Sequence, residues 1–133
     1  MPLLLAPMLI TILAVIMYLA LAFNVGRARG KYKVQVPAVS GHEHFERYYR
    51  VQMNTLEQLV AFLPALWVYA LIWHSHYTIL GLGFVWIATR IGYAVSYYHL
   101  PAKRGKWFVI SLFVTAFLLL GSLVGIVKIG LGL

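Results

Sequence analysis

The chain has 133 residues, of which 62% are hydrophobic and 11% charged, with a formal charge of +8 and no cysteine. Such a composition lies outside the range of soluble domains, and the missing cysteine excludes disulfides, thiolate metal ligands and a sulfur nucleophile of the chain's own. Any sulfur chemistry has to arrive with a substrate. The positive excess suits anionic lipid headgroups beside membrane spans. It does not account for arginines placed inside helices, and nothing in it calls for nucleic acid.

Four runs of about 20 apolar residues, the length that crosses a hydrocarbon core, occupy about residues 3–25, 46–73, 78–98 and 107–127. They predict an all-α membrane protein, a four-transmembrane-helix bundle forming one domain over residues 1–133. The first run has no basic residue before it and exceeds the roughly 7 to 15 residues of a signal-peptide core. It therefore reads as an uncleaved span. Arg27, Arg29, Lys31 and Lys33 fill the loop that follows, and Lys103, Arg104 and Lys106 fill the third loop, while the second, His74 to Tyr77, carries no Lys or Arg. By the positive-inside rule the first and third loops are cytoplasmic and both termini lie on the opposite side. Lys128 alone dissents.

Ser40 and Glu43 are spaced as a capping box, with Pro37 upstream, so the second helix is predicted to start at Ser40. Continued to Trp73 it would be roughly 50 Å long against a core near 30 Å, so its first turns project into the interface. Pro64 is placed to kink it. All three acidic residues of the chain, Glu43, Glu46 and Glu57, fall on this segment with Arg47, Arg50 and Asn54. At helical pitch these six share an arc of about 100°, with Gln52 on the opposite side. Ionisable groups at membrane depth are expensive, so the stripe marks a candidate site.

In the third span Trp86, Arg90, Tyr93 and Tyr97 share about 60° of arc. Pro101 ends that helix, and Arg104 lies just beyond it. Arg90 needs a partner, and depth points to Glu57, either as helix-gluing ion pair or as part of a pocket. Guanidinium groups, one carboxylate, an amide and phenols together complement a small anion bearing carboxylates and an ammonium. Glutathione fits, and it brings the thiol that the chain lacks. Lowering a thiol pKa by two units takes roughly 2.7 kcal/mol, within reach of one guanidinium in a water-poor site.

Other features read as structural. His42 with His44, and His74 with His76, lack the spacing and further ligands of a metal site, so no metal is expected. Gly121 and Gly125 suit close helix packing. Trp73, Tyr77, Trp107 and Phe108 sit at span ends and read as interface anchors.

The stretch Phe45-Glu46-Arg47-Tyr48-Tyr49-Arg50-Val51-Gln52-Met53-Asn54-Thr55-Leu56-Glu57 resembles the signature of the MAPEG family, the membrane-associated proteins in eicosanoid and glutathione metabolism. The first loop, Val25 to Val34 and then Pro37 to Gly41, and the segment Arg90 to Tyr97 extend the resemblance. It implies a homotrimer with glutathione as co-substrate, bound between neighbouring subunits near the cytoplasmic side. Carried over by motif position, Arg50, Asn54, Glu57, Tyr93, Tyr97 and Arg104 contact glutathione from one subunit, and Arg29 and Gln52 reach in from the next. Arg104 becomes the thiolate stabiliser, with Lys103 and Lys106 as alternatives across the same loop, and Tyr93 its hydrogen-bonding support. Gln58 and Gly30 depart from the leukotriene-forming branch, which has a tyrosine and a second arginine there. The function implied is an integral membrane glutathione transferase acting on a lipophilic electrophile from the bilayer, with lipid hydroperoxide reduction as a second outlet. The competing readings are a non-enzymatic lipid-binding member of the same family, and a four-span transporter coupled through Glu57.

Overall fold

The structure, a computed structural model, describes residues 2–133. Four helices carry it: α1 (Leu5–Lys31), α2 (Glu43–Trp73), α3 (His76–His99) and α4 (Gly105–Gly130), with a 3₁₀ turn at Pro101–Lys103 between the last two. Each of the four is long and apolar enough to cross a membrane. α2 and α3 pack on each other, and both α1 and α4 pack across that pair. The helices overrun the apolar stretches at both ends because main-chain hydrogen bonding continues into polar residues after hydropathy has fallen. α1 thus carries Arg27, Arg29 and Lys31 within its last turns rather than in a loop.

The predicted capping box does not form. α2 begins at Glu43, capped by His42, whose Nδ1 accepts from the His44 amide at 3.1 Å. Gly41, at φ +127°, turns the chain just before this cap, and its amide donates to Glu46 Oε2 at 3.4 Å. Ser40 is thereby left outside the helix. His42 also stacks on Tyr32 at 4.3 Å, so the first histidine pair has a local structural use. The helix passes through Pro64 without interruption and ends at Trp73.

The core lies in the middle of the bundle, where Ile10, Phe62, Leu66, Ile79, Trp86 and Leu118 are buried. Phe62 and Trp86 stack nearly parallel, 4.1 Å apart. Glycines set two of the close approaches. A Cβ on Gly83 would meet Ile10 at 2.5 Å, and one on Gly125 would meet Ile72 at 2.5 Å. In a lipid solvent such contact supplies the packing that hydrophobic exclusion does not. The outer faces expose Ile12, Phe23, Phe113 and Leu120, as helices facing acyl chains do.

Up-and-down topology puts the C-terminal ends of α1 and α3 with the N-terminal ends of α2 and α4. Every Lys and Arg except Arg90 and Lys128 collects at this one basic end. The candidate site is built just beneath it.

Candidate functional site

Three helices each contribute an i, i+4 pair to one cavity of about 240 Å³: Arg50 and Asn54 from α2, Tyr93 and Tyr97 from α3, and Arg104 and Phe108 from the start of α4. That spacing places each pair on one helical face, a turn apart. The 3₁₀ turn at Pro101–Lys103 folds the chain back so that α4 starts over the end of α3. Trp107 locks this return, donating from Nε1 to Ser96 Oγ at 2.9 Å. It packs on Gly92, where a Cβ would meet its ring at 2.7 Å. Trp107 and Phe108, expected at a span end, thus also serve packing and the cavity lining. Tyr77, by contrast, is 86% exposed at the other end.

Arg104 caps α4, where the unpaired amides of the first turn add positive potential. Its Nη1 donates to Pro101 O at 2.8 Å, and its guanidinium carbon lies 5.2 Å from the Tyr97 ring centre. The side chain is exposed and holds no carboxylate. Of the other cations in this loop, Lys106 lies over the Trp107 ring at 4.9 Å, and neither it nor Lys103 lines the cavity.

Arg90 sits behind this cavity, fully buried. Its Nη2 donates to Asn54 Oδ1 at 2.7 Å and to Thr55 Oγ1 at 2.9 Å. Its guanidinium carbon is 4.2 Å from the centre of the Tyr93 ring. The expected pairing with Glu57 is not made. On α2, Glu57 is displaced by about 60° from Asn54 on the side away from Thr55, so it faces outward and is exposed. The same rotation removes Glu57 from the cavity lining. The arginines that sequence reasoning placed around it do not reach it, since the ion pair of α2 joins Arg47 to Glu43.

Two further predicted residues also lie off this cavity. Arg29 donates to Ala38 O at 2.7 Å and Val34 O at 3.3 Å, and lies over the Phe45 ring, clasping the connection from α1 to α2. Gln52 Nε2 donates to Tyr18 Oη of α1 at 3.2 Å. Five predicted residues thus converge within one chain, while Arg29, Gln52 and Glu57 sit elsewhere on it.

Comparison with known proteins decides the family: a model of the MAPEG family matches residues 7–124. The chain belongs to the MAPEG family. A protein of the cyanobacterium Synechocystis without an assigned activity is 49% identical over 92% of this chain and 89% of its own length. Human microsomal glutathione S-transferase 2 is 40% identical over 77% of this chain and 69% of its own. Guinea pig (Cavia porcellus) leukotriene C4 synthase is 35% identical over 66% and 58%.

The MAPEG match spans both the cavity and the Arg90 cluster behind it. Sequence reasoning missed Phe108 and Thr55 as members of this region. Phe108 stands one turn from Arg104, and Thr55 is a polar residue beside Asn54 in an apolar run. Helical spacing and polarity were thus the available signals.

Proposed function

We propose that this MAPEG chain is an integral membrane glutathione transferase that works as a homotrimer, with its basic end cytoplasmic. The observation that carries the reading is the convergence of Arg50, Asn54, Tyr93, Tyr97 and Arg104 on one cavity open at the basic end. The names of its relatives, microsomal glutathione S-transferase 2 and leukotriene C4 synthase, support the ligand class.

Two guanidinium groups match the two carboxylates of glutathione, and the Asn54 amide and the phenols offer hydrogen bonds to its peptide groups. The cavity lining holds no carboxylate for the ammonium group. Glu57 on the outer face of α2, and Arg29 and Gln52 of a neighbouring subunit, complete the site in the trimer. In this arrangement Arg104 and the first turn of α4 hold the sulfur as thiolate, and Tyr93 donates a hydrogen bond to it. The thiolate lone pair forms a C–S bond to a lipophilic electrophile from the bilayer. The leaving group departs with its electron pair, or a strained ring opens onto an oxygen that then takes a proton.

The test is the ultraviolet thiolate band on adding glutathione to detergent-purified protein. The band appears with the wild type and is lost in Arg104→Ala. Its absence from the wild type at millimolar glutathione overturns the transferase reading, and its survival in Arg104→Ala overturns the role given to that residue. Turnover assays with a haloarene and with a lipid hydroperoxide then divide conjugation from peroxide reduction.

A further inference from the structure

A second, larger cavity of about 370 Å³ opens at the same basic end, on the other flank of the bundle. Asn24, Arg27, Ala28 and Lys31 of α1 line one wall, with Tyr32 after the helix, and Tyr48 of α2 and Tyr98 of α3 form the other. The α1 residues follow helical spacing and share one face, roughly 150° around the helix from Arg29. The cavity is therefore separate from the site described above and from the face of α1 that the trimer reading assigns to a neighbour.

Its chemistry is one-sided. Arg27 and Lys31 bring two cations, Asn24 an amide, and Tyr32, Tyr48 and Tyr98 phenol hydroxyls, while no carboxylate lines it. Among the described residues neither cation forms an ion pair. Tyr48 and Tyr98 stack 4.1 Å apart, and Arg47 Nη1 donates to Tyr98 O at 3.2 Å, fixing the end of α3 beneath them. The Tyr98 hydroxyl is buried beside the Asn24 side chain. A ligand that carries both signs would leave its cation without a partner here. A phosphate group presents only acceptors.

We propose that this cavity binds a phosphate group, supplied by the headgroup of an acidic phospholipid or by free phosphate. Basic pockets between spans at the membrane surface hold such headgroups, and an arginine fork matches phosphate oxygens in pairs. In line with the Arg27 edge of the cavity, deeper along α1, Ile16, Leu19 and Phe23 are exposed, an apolar track for acyl chains.

The experiment follows thermal unfolding of the full chain in a neutral detergent during titration with dioctanoyl phosphatidylglycerol, dioctanoyl phosphatidylcholine or inorganic phosphate. Phosphatidylglycerol is expected to raise the midpoint saturably, and phosphatidylcholine to leave it unmoved. The Arg27→Gln/Lys31→Gln double variant is expected to lose the shift, whereas Lys33→Gln/Lys103→Gln, which removes the same charge at the same end, keeps it. A saturable response to inorganic phosphate alone, with the same variant pattern, assigns the site to free phosphate. No saturable shift with either phosphate source, or equal loss in both double variants, overturns the proposal.

Discussion

Arg90 and Arg104 lie on the two sides of one cavity and live in opposite environments. Arg90 is buried, held by Asn54 and Thr55, and covered by the Tyr93 ring. Arg104 is exposed at the cap of α4, with one hydrogen bond to the carbonyl of Pro101 within its own turn and its guanidinium 5.2 Å from the Tyr97 ring centre. The difference separates support from action. A guanidinium with fixed partners sets the positions of Asn54 and Tyr93, whereas one with a single local bond can turn toward a ligand that enters.

The sharpest way to break this comparison is Arg90→Ala. It leaves a void and strips Asn54 and Thr55 of their donor, partly offset by removing the buried Nε and Nη1 that lack partners, so a loss of about 2–4 kcal/mol is expected, read as an earlier thermal unfolding midpoint in detergent. Arg104→Ala should leave that midpoint in place and reduce thiolate formation about a hundredfold, as loss of roughly 2.7 kcal/mol of anion stabilisation implies. Equal midpoint losses in the two variants would erase the distinction. Gly92→Ala falls between them: its Cβ would meet Trp107 at 2.7 Å, costing about 1–3 kcal/mol. Displacing the start of α4 should also weaken glutathione binding, measured by calorimetry. The smallest effect belongs to Glu43→Gln, which removes the exposed partner of Arg47 and should move the midpoint by less than about 1 kcal/mol.

Hydropathy placed the four spans because the cost of unpaired main chain in lipid leaves only helices for such runs. It could not place their ends, since a helix such as α1 continues past Val25 through its basic turns. The polar stripe of α2 was legible as a stripe, and its meaning was not. The buried face of α2 centres near Val51, Thr55, Phe62 and Leu66, so the stripe points mostly away from the bundle and meets it along the edge carrying Arg47, Arg50 and Asn54. Depth along the helix paired Arg90 with Glu57; rotation about the axis gave it Asn54 and Thr55 instead. Periodicity also resolved the face of α3, where Trp86, Arg90 and Tyr93 are buried together. The cap of α2 escaped because His42 took over the role expected of Ser40.

The link between α2 and α3 is only His74 and Ser75, with His74 in the left-handed region at φ 53°. So short a hinge fixes the phase of one helix against the other, as a gauge block fixes two rails. An inserted residue that joined α3 would shift the rest of that helix by about 1.5 Å and roughly 100° against its start, carrying Arg90 off Asn54 and the Trp86 ring off Phe62. The α1–α2 connection, residues 32–42, carries no such tolerance limit on this register. Variation in chain length across related sequences should therefore avoid the turn farthest from the basic end, even though no site residue lies in it.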